Sequence, residues 1–228
     1  LTKEEINNLI HTYRNGINTH IQYDETNETS IIRDDIQEQY ISEIIENLNE
    51  HKKVFLKAPT GFGKTHIYYK TIQRLKFNRI LFLTPRIQLN QQIVEDKYSS
   101  YIKDDNYKII HFSDLSSTHK EREIKKYSNN NTKLIITSCY QSGNKLLKYI
   151  NKYKLKFDLI IFDEAHYITS WSDSEEETNN FEFLSNNEIC EFRIFGSATP
   201  TYEIETKPLI YGSIVEKVKV YELINLEI

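Results

Sequence analysis

Two short stretches hold residues whose types and spacing suit work on a phosphorylated substrate. Residues 58–65 read Ala-Pro-Thr-Gly-Phe-Gly-Lys-Thr. Glycine takes backbone angles closed to other residues, so a loop of Pro59, Thr60, Gly61, Phe62 and Gly63 can turn successive N–H groups onto phosphate oxygens. Lys64 would then supply a point charge to the β- and γ-phosphates, and Thr65 a hydroxyl ligand to Mg²⁺. Residues 157–166 read Phe-Asp-Leu-Ile-Ile-Phe-Asp-Glu-Ala-His, an apolar run that ends in adjacent carboxylates. Asp163 at such a strand end can hold Mg²⁺ opposite Thr65, and Glu164 can orient and deprotonate an attacking water. Taken singly, each stretch also has a plainer reading: a glycine turn joining strand to helix, and polar residues closing a strand.

These groups need elements that bring them to one place. Val54-Phe55-Leu56 reads as a buried strand leading into the glycine loop, and a helix is expected to start near Lys64. Ile36, Tyr40, Ile41, Ile44, Ile45 and Leu48 share one face of a helix ahead of that strand. Further strands are expected at Arg79 to Thr84, Tyr107 to Phe112, Lys133 to Thr137, Phe157 to Asp163 and Phe192 to Ser197, with helical patterns between most of them. Such alternation, with strands apolar on both faces, predicts an α/β fold whose mainly parallel sheet is sandwiched by helices. Ligands of open α/β sheets bind outside the carboxyl ends of the strands, so both motifs should lie on one rim. A short helix is expected over residues 3–15 and a polar linker over 18–30, with the main domain running from about Ile31 to 228. The acidic stretch 172–180, SDSEEETNN, reads as a solvated loop.

With these motifs in hand the chain resembles the superfamily-2 helicases and translocases of the DEAH or DExH type, from about Ile31 onward. The resemblance implies a RecA-like P-loop domain, the first of two, that uses ATP with Mg²⁺. Ala58 stands where the common loop pattern has Gly, a departure also found in helicases. Gln37 is similar to the glutamine with which the family reads adenine; the other reading of Gln37 is a solvent-facing helix position. Thr84-Pro85-Arg86-Ile87-Gln88 looks like the motif that meets a nucleic-acid backbone, with Pro85, Arg86 and Gln88 as contacts, and Thr137 and Ser138 look like a further contact at a strand end. Gly196-Ser197-Ala198-Thr199-Pro200 resembles the coupling motif, in which the hydroxyls of Ser197 and Thr199 bond near His166. His166 is thereby placed beside Lys64, Asp163 and Glu164 among the residues serving catalysis. The loop and the Ser-Ala-Thr-Pro ending look more like restriction-enzyme motor subunits and XPB-like translocases than like RNA helicases. DNA is therefore the favoured track and RNA the alternative.

Composition sets the remaining limits. A chain of 228 residues, 39% hydrophobic, can bury one sizeable core. The net charge of -4, from 29 basic and 33 acidic side chains, gives no overall positive field, so any nucleic-acid contact must be local. Cys139 and Cys190 are isolated from each other and lack partners at ligand spacing, which suggests a reducing, intracellular setting: cytoplasm, nucleus, or a virion if the source is viral. No apolar run approaches the roughly 20 residues that span a bilayer, and no membrane partner is expected. The chain begins at Leu1 and contains no Met, and it reads as a piece of a longer protein in which a second RecA-like domain follows. Besides the motor enzyme, two readings compete: a nucleotide-sensing module without turnover, and another phosphate-loop enzyme such as a small-molecule kinase.

Overall fold

The computed structural model describes residues 27–86, 106–114, 117–129, 132–168, 183–219 and 221–222. The expected helix at 3–15, the acidic stretch 172–180 and Gln88 lie outside them. In chain order the elements are α1 (Asn27–His51), β1 (Lys53–Lys57), α2 (Lys64–Leu75), β2 (Arg79–Thr84), β3 (Lys108–His111), α3 (Ser117–Lys126), β4 (Leu134–Cys139), α4 (Gly143–Tyr153), β5 (Phe157–Asp163), β6 (Cys190–Ser197), α5 (Tyr202–Thr206), α6 (Pro208–Tyr211) and β7 (Ser213–Val215). Single helical turns follow β3, β4 and β5.

The seven strands form one sheet in the order β3-β4-β2-β5-β6-β1-β7, and every pairing is parallel. Because a β-strand sends successive side chains to opposite faces, each central strand feeds two cores. Leu159 and Ile161 of β5 join Val54, Leu56, Ile80, Phe82 and Ile194 under α1 (Tyr40, Ile41, Ile44, Leu48) and α2 (Ile67, Tyr68, Tyr69, Ile72). Ile160 and Phe162 face the other way, with Phe55, Leu81, Leu83, Ile136 and Phe195, under α3 (Ile124) and α4 (Leu146, Leu147, Ile150). Each such fully buried aliphatic or aromatic side chain contributes roughly 1.5–3 kcal/mol. The result is the helix-covered parallel sheet that the alternating pattern predicts.

Some details differ from the sequence reading: β4 runs on to Cys139 and β6 begins at Cys190. Helix α1 begins at Asn27, inside the stretch read as linker. The short strand β7 was not anticipated; it adds to the outer edge of β1 through Val54↔Ser213, Phe55↔Ile214 and Leu56↔Val215. Helices α2 and α4 both stop on a left-handed lysine, Lys76 and Lys154, whose N–H returns to the last turn.

Two arginines are buried, Arg79 as the first residue of β2 and Arg193 midway along β6. Arg193 of β6 is fully buried and donates to the carbonyls of Phe183 (2.7 Å) and Asn186 (2.8 Å) and to Asn187 Oδ1 (3.1 Å). Arg79 of β2 donates to the carbonyls of Lys156 (2.8 Å), Asn129 (3.2 Å) and Thr132 (3.3 Å). These contacts tie the lower loops and leave the carboxyl rim to the residues with chemistry.

Candidate functional site

The strand register decides which residues meet. Asp163, the last residue of β5, pairs with Gly196 of β6, and Gly196 pairs on its other side with Leu56 of β1. Ser197 follows in register with Lys57, and Ala58 donates its N–H to the Ser197 carbonyl at 3.4 Å. The glycine loop, the Asp-Glu pair and the Ser-Ala-Thr turn therefore occupy adjacent strand ends on one rim.

The glycine loop folds as its composition requires. Phe62 N–H bonds to the Pro59 carbonyl (3.3 Å), and Gly63 caps α2 with φ of 102°, in the left-handed region. A side chain at 63 would be strained there and would also lie 2.6 Å from Gln37 Nε2. Gln37 itself is buried, and its Nε2 donates to the Phe62 carbonyl at 2.7 Å. The structure thus corrects the solvent-facing alternative: Gln37 braces the loop from α1. Tyr40, one turn on, packs its ring on Phe62 with centroids 5.7 Å apart.

Lys64 Nζ lies 3.3 Å from Glu164 Oε1, and their side chains retain 10% and 24% exposure. These two groups, far apart in sequence, share one partly water-accessible spot. Glu164 Oε2 lies 3.4 Å from His166 Nδ1, which is also 2.7 Å from Ser197 Oγ. Ser197 Oγ accepts the Thr199 N–H at 3.1 Å. The contact expected between His166 and the Ser-Ala-Thr turn is made through Ser197, while Thr199 joins it by its backbone and keeps its side chain exposed. Glu164 has φ of 51° and ψ of 50°, left-handed for a residue with a long side chain, at the point where β5 breaks into a single helical turn. Such conformations cost free energy and concentrate at functional sites.

Asp163, the residue before Glu164, is buried. Its Oδ1 accepts the Tyr68 hydroxyl at 3.1 Å, and its backbone carbonyl accepts the Tyr140 hydroxyl at 2.8 Å. Burial, reinforced by the neighbouring Glu164 charge, pushes the Asp163 carboxyl up to about 6, while Lys64 and the Tyr68 bond pull it down. Burial also drives the Tyr68 and Tyr140 phenols well above their ordinary value, so both stay protonated donors. Among the described residues no cluster of three or more His, Cys, Asp or Glu could hold a metal. Mg²⁺ takes one or two protein oxygens and completes its shell with phosphates and water. The Asp163 carboxylate at the end of β5 is a hard oxygen donor of that kind, and the Thr65 hydroxyl at the start of α2 is another.

The strand-end residues expected to meet nucleic acid are distributed differently. Thr84 Oγ1 donates to the Arg86 carbonyl at 3.0 Å, closing a turn that leaves Pro85 half-buried and Arg86 exposed. Thr137 and Ser138 are fully buried. Thr137 Oγ1 is 3.0 Å from His111 Nδ1, Ser138 Oγ donates to the Cys139 carbonyl at 3.2 Å, and Ser113 Oγ accepts the Cys139 N–H at 2.7 Å. The end of β3 and the turn after it bond to these strand ends, so half-buried His111 and Ser113 lie beside the two hydroxyls. The residues that sequence reasoning missed are Tyr68, Tyr140, His111 and Ser113. On a helix or strand an aromatic or small polar residue signals only packing, and no spacing marked them.

The chain is similar to restriction-enzyme subunits and to helicases. Residues 30–202 match the family model described as Type III restriction enzyme, res subunit. The chain is 26% identical over 167 residues to "Probable helicase A859L" of African swine fever virus, covering 69% of this chain and 18% of that protein. The chain thus spans under a fifth of the length of the curated relatives it matches. Its fold superposes on an ATP-dependent Type ISP restriction-modification enzyme, LlaBIII, bound to DNA, with TM-score 0.66 and 19% identity over 85% of this chain and 15% of that one. It also superposes on a hypothetical ATP-dependent RNA helicase from Sulfolobus tokodaii, with TM-score 0.57 and 21% identity over 76% and 51%. At these identities the superpositions establish the RecA-like fold. The family match spans most of the chain, and the protein belongs to the Type III restriction enzyme res-subunit family, as a helicase-type, N-terminal RecA-like domain of superfamily 2.

Proposed function

We propose that this domain binds and hydrolyses ATP as one half of a nucleic-acid-dependent translocase, with DNA favoured as its track. One observation carries the reading: the Lys64 ammonium and the Glu164 carboxylate lie 3.3 Å apart, and the charges of both act on buried Asp163. A lysine at the mouth of a glycine loop and an acid pair at a strand end meet in this way where a triphosphate must be held and a water activated.

In this reading the loop N–H groups and Lys64 bind the β- and γ-phosphates, and Gln37 holds the loop in shape. Thr65 and Asp163 would hold Mg²⁺, which supplies neutralisation of charge on the transferring phosphoryl group. Glu164 leaves Lys64 to the phosphates, orients a water and takes its proton. His166, hydrogen-bonded to Ser197 and 3.4 Å from Glu164, senses that change and passes it to the Thr199 turn. Exposed Arg86 contacts a backbone phosphate of the nucleic acid, which positions without reading sequence. Thr137 and Ser138 act behind His111 and Ser113.

A second RecA-like domain of the parent chain would complete the γ-phosphate site, because an inserted arginine there is worth orders of magnitude in rate. The 228-residue chain should therefore hydrolyse ATP slowly, with Lys64→Ala removing the activity. The test compares ATPase rates with duplex DNA, single-stranded RNA and no nucleic acid. Full stimulated turnover by this chain would refute the half-site reading, and stimulation by RNA alone would reassign the track. DNA is preferred on the loop and Ser-Ala-Thr-Pro sequences and on the restriction-enzyme family.

A further inference from the structure

Tyr68 lies one turn beyond Lys64 on α2, with its ring in the core and 1% of its surface exposed. Packing alone would need only that ring. Its hydroxyl nevertheless reaches across the sheet to donate to Asp163 Oδ1 at 3.1 Å. The path is open because residue 196 is glycine: a Cβ there would lie 1.8 Å from Tyr68 Oη and 3.0 Å from Cζ. Gly196 is the register partner of both Asp163 and Leu56. The phenol therefore fills the place of a missing side chain between the strand that feeds the glycine loop and the strand that carries the acid pair. From the opposite face Tyr140 donates to the Asp163 carbonyl at 2.8 Å, which fixes the strand end but leaves the carboxylate to Tyr68.

We propose that Tyr68 is a positioning residue for the divalent cation: its hydroxyl fixes one carboxylate oxygen of Asp163 and leaves the other to the metal, with Gly196 as the space that permits it. This rests on the reading of the rim as a Mg²⁺-nucleotide site. A ligating carboxylate is itself held by hydrogen bonds, and losing such a partner typically costs 10–100-fold in metal affinity or activity.

The test is equilibrium binding of a fluorescent ATP analogue to the 228-residue chain, titrated with MgCl₂. Tyr68→Phe keeps the ring and should raise the half-saturating Mg²⁺ concentration about tenfold, while binding without Mg²⁺ changes less than about twofold. Gly196→Ala should reproduce the shift by displacing the hydroxyl, so the test survives if Tyr68→Phe folds poorly. In a Tyr68→Leu background Gly196→Ala should add almost nothing, because the atoms it would strike are gone. An unchanged Mg²⁺ midpoint in folded Tyr68→Phe overturns the proposal, as does an equal loss of binding with and without Mg²⁺, the mark of a packing role. Lys64→Ala separates the two failures. If it binds the analogue as the parent does, the site reading fails; if it loses binding while Tyr68→Phe keeps its Mg²⁺ midpoint, only the role of Tyr68 fails.

Discussion

Glu164 pairs with Lys64 through one carboxylate oxygen and with His166 through the other. An acid held by two such partners keeps a fixed direction, which is what a group that orients water needs. Glu164→Gln preserves shape but cannot take a proton, so hydrolysis should fall about 100-fold or more. ATP binding should hold or tighten, because Lys64 is released from an ion pair. Parallel rate and binding measurements on this one variant check both parts. Asp163 gives a second, pH-dependent expectation. Its carboxyl is raised in the folded protein to about 6 from an ordinary 3.8, so the folded state holds a proton that the unfolded chain releases first. That stabilising contribution is complete below about pH 4 and is lost as pH rises through 6. Without Mg²⁺ or nucleotide, Asp163→Asn should therefore be more stable than the parent at pH 7.5, by roughly 3 kcal/mol at most, and should lose that advantage near pH 4. Thermal melts at the two pH values test the sign, and added Mg²⁺ with ATP should stabilise the parent more than the variant.

The strands that present these residues were legible where local pattern and burial agree. Arg79–Thr84 and Phe157–Asp163 have the expected bounds because both are central, covered on both faces, and end in residues the sheet cannot bury freely. Strand β7 was not legible, since Ser213–Val215 is short and exists by pairing with the outer edge of β1, a partner far away in sequence. The glycine loop and the acid pair announced themselves by residue type. Tyr68, Tyr140 and the burial of Thr137 and Ser138 depend on which strand ends adjoin, and one sequence does not display that order. Arg193 illustrates the same gap: a charged residue in an apolar strand suggests an exposed position, yet it is fully buried and bonded to the chain at Phe183 and Asn186. Arg193→Ala leaves those carbonyls without their donor and should destabilise the domain by about 3 kcal/mol. Chemical denaturation measures that loss, and ATP binding by the folded fraction should be unaffected because the lost bonds tie down the segment before β6, away from the carboxyl strand ends.

At the scale of the whole molecule, one parallel sheet delivers a glycine loop, an acid pair and a Ser-Ala-Thr turn to adjacent strand ends, and an exposed arginine to a nearby one. The order β2-β5-β6-β1 sets this arrangement, with β5 and β6 inserted between strands close in sequence. Arg86→Ala should weaken nucleic-acid binding uniformly across sequences and reduce its salt dependence by about one counterion, as fluorescence anisotropy at several salt concentrations would reveal. Whether a single triphosphate is shared by the loop and the acid pair is best asked by a double-mutant cycle on Mg²⁺-ATP affinity with Lys64→Ala and Asp163→Ala. Each change alone should remove most of the affinity, and the pair together should cost clearly less than the two losses combined, since both serve one ligand. Losses that simply add, or an Asp163→Ala protein that binds Mg²⁺-ATP like the parent, would mean that the two motifs do not meet on the same nucleotide.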